Sequence, residues 1–191
     1  MSLYEFLLFV HLAGAVVWVG GGVSTQFFAL RALRTKDTSR IAGLATDIEW
    51  VGSRVLTTSS LITFVVGLAL VWESEAWGFG DDWIVIGLAL FAVTFVAGAG
   101  FFGPESGRIS RLVASEGAGS PAAQARIRRI LVLARIDLIL LFLIIFDMTV
   151  KPSFSDGWTI ILALASAIAL AALLTVRRGG PSAETASATA N

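Results

Sequence analysis

The chain has no cysteine, one histidine and one tyrosine, and only 15% of its 191 residues are charged. Without cysteine there is no disulfide framework, no thiolate metal site and no redox-active thiol. A single histidine excludes a multi-histidine metal centre within one chain. The charges cancel to a formal net charge of zero, so the basic excess of nucleic-acid-binding proteins is missing and no nucleic acid is expected as a partner. No phosphate loop, zinc signature or nucleophile with a neighbouring base is present, which argues against hydrolytic or phosphoryl-transfer catalysis and towards a non-enzymatic protein.

What the chain does have is apolar sequence: 56% of it, gathered into runs. A soluble domain needs a polar shell, whereas a run of about 20 apolar residues crosses the hydrocarbon of a bilayer. Five runs qualify, at 3–30, 55–72, 83–102, 130–150 and 158–176. The expected fold is therefore all-α, an integral membrane bundle of five transmembrane helices spanning residues 1–178, followed by a disordered tail at 179–191. Gly103 and Pro104 should end the third span, and Lys151 and Pro152 the fourth. The first run has no basic segment before it and no persuasive cleavage site, and reads as a retained helix. Tyr4, Trp72, Trp77, Trp83 and Trp158 fall near one interface, where amphipathic rings settle.

Of the 14 basic residues, 12 lie in or beside the first and third connections or after the last run. The positive-inside rule then puts the N-terminus outside and the C-terminus in the cytoplasm of a multi-pass cell-membrane protein, of the bacterial inner-membrane type. Lipid is the obvious partner, with anionic headgroups at the basic loops. Asp37, Thr38 and Ser39 can cap a short helix with Ile41, Leu44, Ala45, Ile48 and Val51 on one face, expected to lie on the inner leaflet. Residues 116–120 read as a flexible break, and Ser120 with Pro121 as a helix start.

Ionisable groups inside hydrocarbon are costly, so they are the candidates for function. His11 shares a helical face with Ala15, Trp18, Gly22 and Thr25. It could ligate heme or a metal, relay a proton, or simply hydrogen-bond across helices. Asp147 and Lys151 are spaced for an ion pair, though Asp147 also lies near the depth of His11 and could orient its imidazole. Arg135 could snorkel to the headgroups. Asp137 needs a partner, with Arg135, Arg54 or the amide of Gln26 at compatible depth. Thr57, Thr58, Ser59, Ser60 and Thr63 bond back to their own helix in the bland case, and form a hydrated pocket with Asp137 and Gln26 in the other.

Four segments, YEFLLFVHLAGAVVWVGGG, IEWVGSRV, GFFGPESGRI and RIDLILLFLIIFDMTVKP, occur in the order found in the domain-of-unknown-function 2269 family of predicted integral membrane proteins, which residues 1–152 resemble. The first helix, with His11, Trp18, Gly20 and Gly21, also resembles that of copper-resistance D-type membrane proteins and of the heme-containing membrane protoporphyrinogen oxidase. That likeness implies heme b or copper at His11. A heme could take Met148, or the His11 of a second copy in a homo-oligomer, as its second ligand. The oxidase pattern has a further histidine where this chain has Ala32. The expected functions are thus a small-solute or ion permease or a component of a membrane complex, and, as the alternative, a heme- or copper-binding redox protein.

Overall fold

Four helical rods, each longer than a hydrocarbon layer is thick, form the computed structural model, which describes residues 2–35, 38–159, 161–162, 165–168 and 171. All regular structure among the described residues is helical. The first rod is α1, Leu3–Thr35. The second runs from α2, Thr38–Trp50, through a π-helical turn at Val51–Leu56 into α3, Thr57–Glu73. The third runs from α4, Asp82–Ala97, through a π turn at Gly98–Phe102 into α5, Gly103–Glu116. The fourth is α6, Pro121–Val150.

Three helical stretches, Leu3–Arg34, Ser39–Glu73 and Asp82–Glu116, are long and apolar enough to cross a membrane. α6 does not join them because Arg135, Asp137 and Asp147 interrupt its apolar run. The described residues of 157–171 are helical, and Leu162 packs with Ile86, Leu90 and Leu140. The fifth expected span, 158–176, falls in part outside the described residues, as do Lys36, the expected cap Asp37, Arg177, Arg178 and the tail.

Gly103 and Pro104 do not end a helix. In a regular helix the Pro104 ring would collide with the carbonyl four residues back. Here it follows the wide π turn, in which the Gly103 N–H reaches back to Gly98 O, and the rod continues to Glu116. The break after Glu116 is present, with Gly117 at φ 84°. Ser120 starts α6 by accepting the Ala123 N–H at 3.2 Å, and Lys151 stops it in the left-handed conformation.

The expected interfacial helix is α2, and its apolar face packs on other helices. Ile41 is buried with Ala29 and Ala32 of α1, Ile109 and Val113 of α5, and Ile127 of α6. At about 1.5 Å per residue every rod overshoots 30 Å of hydrocarbon. The overshooting ends pack on one another, so side chains that would otherwise seek lipid find a core. Beyond this core, large apolar side chains such as Val16, Phe9 and Val65 remain exposed, as a lipid-facing surface requires.

The order of packing is an arc: α3 on α1, α1 on α6, α6 on α4. α2 packs on α5 at one end, and the arc encloses a cavity.

Candidate functional site

The cavity, of about 450 Å³, lies towards the α2 and α5 end and is large enough for a small organic molecule. Both π turns contribute to its wall, through Gly52 and Ser53 of the first and Gly98 and Ala99 of the second. π turns gather at functional sites because the extra residue re-aims the side chains around it.

Asp137 faces this cavity from α6, and its Oδ1 is buried without a hydrogen-bond partner. None of the expected partners serves it. Arg135 is exposed, since residues two apart on a helix point to different sides, and Arg54 is exposed as well. Gln26, also on the cavity wall, is buried and donates from Nε2 to the Leu131 carbonyl at 2.9 Å, on the main chain of α6.

The hydroxyl run of α3 bonds back to its own helix, as in the bland case. Thr57 donates to Gly52 O at 2.9 Å, Ser60 to Thr57 O at 2.8 Å, Ser59 to Leu56 O at 3.1 Å and Thr63 to Ser59 O at 2.8 Å. Thr57 and Ser60 nevertheless line the same cavity as Asp137 and Gln26.

Trp18 lines the cavity from α1. It meets Phe91 edge to face at 5.6 Å between centroids, Phe91 stacks on Phe64 of α3 at 4.5 Å, and Phe95 lies against Phe91 at 5.7 Å. Phe64 and Phe91 lie one turn beyond the lining residues Ser60 and Thr94, so the rings roof the cavity on the side of Lys151. Sequence reasoning missed these phenylalanines, because a ring in an apolar run reads as lipid-facing as readily as core. It also missed Glu49 of α2, a second carboxylate on the wall, whose one signal is an acid within the IEWVGSRV segment. Glu105, nearly fully buried, was missed too; it holds Arg126 at 2.7 Å and Arg108 at 3.4 Å.

Beyond the aromatic roof lie the other candidates, and the structure does not join them. His11 bonds through Nδ1 to Thr63 O at 2.8 Å. A carbonyl only accepts, so Nδ1 carries the proton and, in the neutral ring, Nε2 keeps a lone pair. The ring lies against Gly67, where a Cβ would come within 3.0 Å of Cε1. Asp147 is wholly buried with both carboxylate oxygens unpartnered. It packs with Met148 against Gly87 of α4 instead of orienting His11. Nor does it pair with Lys151. The left-handed turn at Lys151 takes that side chain off the helical i, i+4 register, and its ammonium lies 4.0 Å from the ring centre of Trp77 and 5.1 Å from that of Trp83.

Among the described residues no three His, Asp or Glu side chains come together as a metal site. Among the described residues His11 and Met148 both carry lone pairs suited to heme or copper, and they lie against different helices, His11 on α3 and Met148 on α4.

The sequence model of one protein family, described as predicted integral membrane protein (DUF2269), matches residues 5–152. No curated protein and no solved structure matches the chain.

Proposed function

The chain belongs to the DUF2269 family of predicted integral membrane proteins, and from that premise we propose that it is a membrane permease that binds a small solute in the cavity at Asp137 and passes it through the bundle unchanged. The observation that carries this is a buried carboxylate oxygen without a partner on the wall of a 450 Å³ cavity. An unsatisfied polar atom in hydrocarbon costs several kcal/mol unless water or a ligand meets it. The path would run on past the Trp18, Phe64 and Phe91 rings, its constriction, towards His11 and Asp147. Five spans, an outer N-terminus and an inner C-terminus in the cell membrane belong to this proposal. The clustering of 12 of 14 basic residues supports the orientation, and exposed Arg31, Arg111 and Arg128 support contact with anionic headgroups.

Because the chain has no cysteine, single cysteines test the proposal without background. Ser60→Cys on α3 and Thr94→Cys on α4, both buried on the cavity wall, are expected to react with a small water-soluble methanethiosulfonate in intact membranes. Val16→Cys, on the lipid-facing side of α1, should not. Lack of reaction at both wall positions would remove the solute path.

One observation favours a second reading, a heme- or copper-binding protein: the hydrogen bond from Nδ1 to a carbonyl is how ligating histidines are commonly oriented. The His11 of a second copy would then complete the ligand set. A Soret band lost in His11→Ala supports it, and a featureless spectrum of protein from heme-replete, copper-replete cells rules it out.

A further inference from the structure

Most hydroxyls on the cavity wall are turned one way in their hydrogen bonding. Ser53, Thr57, Ser60 and Thr94 each give their hydroxyl proton to a carbonyl of their own helix, at 3.2, 2.9, 2.8 and 3.0 Å. Gln26 likewise spends an amide proton on Leu131 O. What the four hydroxyls present to the cavity is lone pairs. The donors on the wall not committed in this way are the Thr25 and Ser106 hydroxyls, the second Gln26 amide N–H and the Trp18 indole N–H.

Charge points the same way. Two carboxylates, Asp137 and Glu49, face the cavity, and no lysine, arginine or histidine lines it among the described residues. The nearby cations are turned elsewhere. Arg54 and Arg135 are exposed, Arg126 and Arg108 are held by Glu105, and Arg129 lies 6.0 Å from the Phe101 ring centre. An anion entering this space would meet acceptors and negative charge. A hydrated metal ion would meet a mostly apolar lining in which no three acidic or histidine side chains converge.

We infer that the cavity takes an organic cation with N–H donors, a primary ammonium or a guanidinium on an apolar body, its head on Asp137 and its body among Ala29, Ala134, Leu138 and Leu141. The head makes charge-assisted hydrogen bonds to the carboxylate and the hydroxyl lone pairs, with the Trp18 ring on the same wall. The apolar lining removes the body from water. Entry is lateral, between the two π turns, where Ser53 and Thr57 on one side and Ala99 and Gly103 on the other are exposed. An amphiphilic cation dissolved in the leaflet arrives there head first.

This rests on the reading of the cavity as a solute site, and the experiment separates the two. Full-length protein in nanodiscs is titrated with four probes of nearly one shape: 2-phenylethylammonium, its N-trimethyl analogue, neutral 2-phenylethanol and 3-phenylpropanoate. The expected order is ammonium first, with the trimethyl analogue and the alcohol weaker by roughly 10- to 100-fold, the worth of charge-assisted hydrogen bonds, and no binding of the carboxylate. Asp137→Asn, which keeps the shape of the side chain, should bring the ammonium down to the level of the alcohol. Ala134→Leu, which fills the space beside Asp137, should weaken every probe and serves if Asp137→Asn does not fold. Equal affinity for ammonium and alcohol in the natural chain overturns the cation inference and leaves a solute cavity. Binding of the carboxylate in preference overturns it as well. Binding of none of the four, with Ser60→Cys unreactive, overturns both.

Discussion

Lys151 shows how one backbone conformation redirects a side chain. Spacing alone pairs it with Asp147, four residues earlier, but its φ of 53° ends the helix and sends the ammonium to Trp77 and Trp83. Asp147 is left buried without a partner. Lys151→Met is therefore expected to lower the unfolding midpoint in detergent by the equivalent of about 0.5–2 kcal/mol, the range for a cation over an aromatic face. The loss should shrink in a Trp77→Leu background, as a double-mutant cycle reads it. If Asp147→Asn and not Trp77→Leu cancels the effect, the ion pair is real and the assignment is wrong. The same lesson holds for Gln26: its depth on α1 was legible, but an amide has two ends, and only the packed structure aims its Nε2 at Leu131 O. Asp137 was legible as a charge in an apolar run. That it is left without a partner was not, because depth alone puts Arg135 and Arg54 within reach, and the side of the helix they occupy turns them outward.

The rods were legible as elements because apolar runs of membrane-crossing length need no periodicity to be seen. Their continuations were not. Gly103 and Pro104 ordinarily stop a helix, and the π turn that carries the rod past them has no signal beyond the glycines Gly98 and Gly100. The amphipathic face of α2 was visible, but an apolar stripe does not say whether lipid or another helix covers it. Two substitutions test the packing. Ile41→Ala is expected to cost roughly 2–5 kcal/mol, since Ile41 is buried against α1 and α5; a helix lying on a leaflet would barely register it. At the α1 and α3 crossing, a Cβ on Gly14 would come 2.6 Å from Thr63 Oγ1 and 3.4 Å from Ser59 O. Gly14→Leu should therefore split the crossing, whereas Gly20→Leu, with nothing within 4 Å, should leave the folded yield unchanged. Equal tolerance of the two would mean that α1 and α3 do not meet there.

At the scale of the whole molecule, three features come together: an apolar exterior, a packed end where the rods meet, and a cavity whose hydroxyls accept hydrogen bonds. Composition made the first legible. The second and third depend on which helices are neighbours, and one sequence does not say so. The central claim is that hydrocarbon surrounds the rods while water reaches Asp137 inside them. Its most direct measurement is the collision profile of nitroxides placed singly on the cysteine-free chain in bilayers, with oxygen as the apolar reagent and a nickel chelate as the polar one. Labels at Val16 and Val65 should favour oxygen, and labels at Ser60 and Thr94 should favour nickel at the same depth. Oxygen preference at all four positions would mean a dry bundle with no site, and nickel preference at all four would mean that these helices do not lie in a membrane.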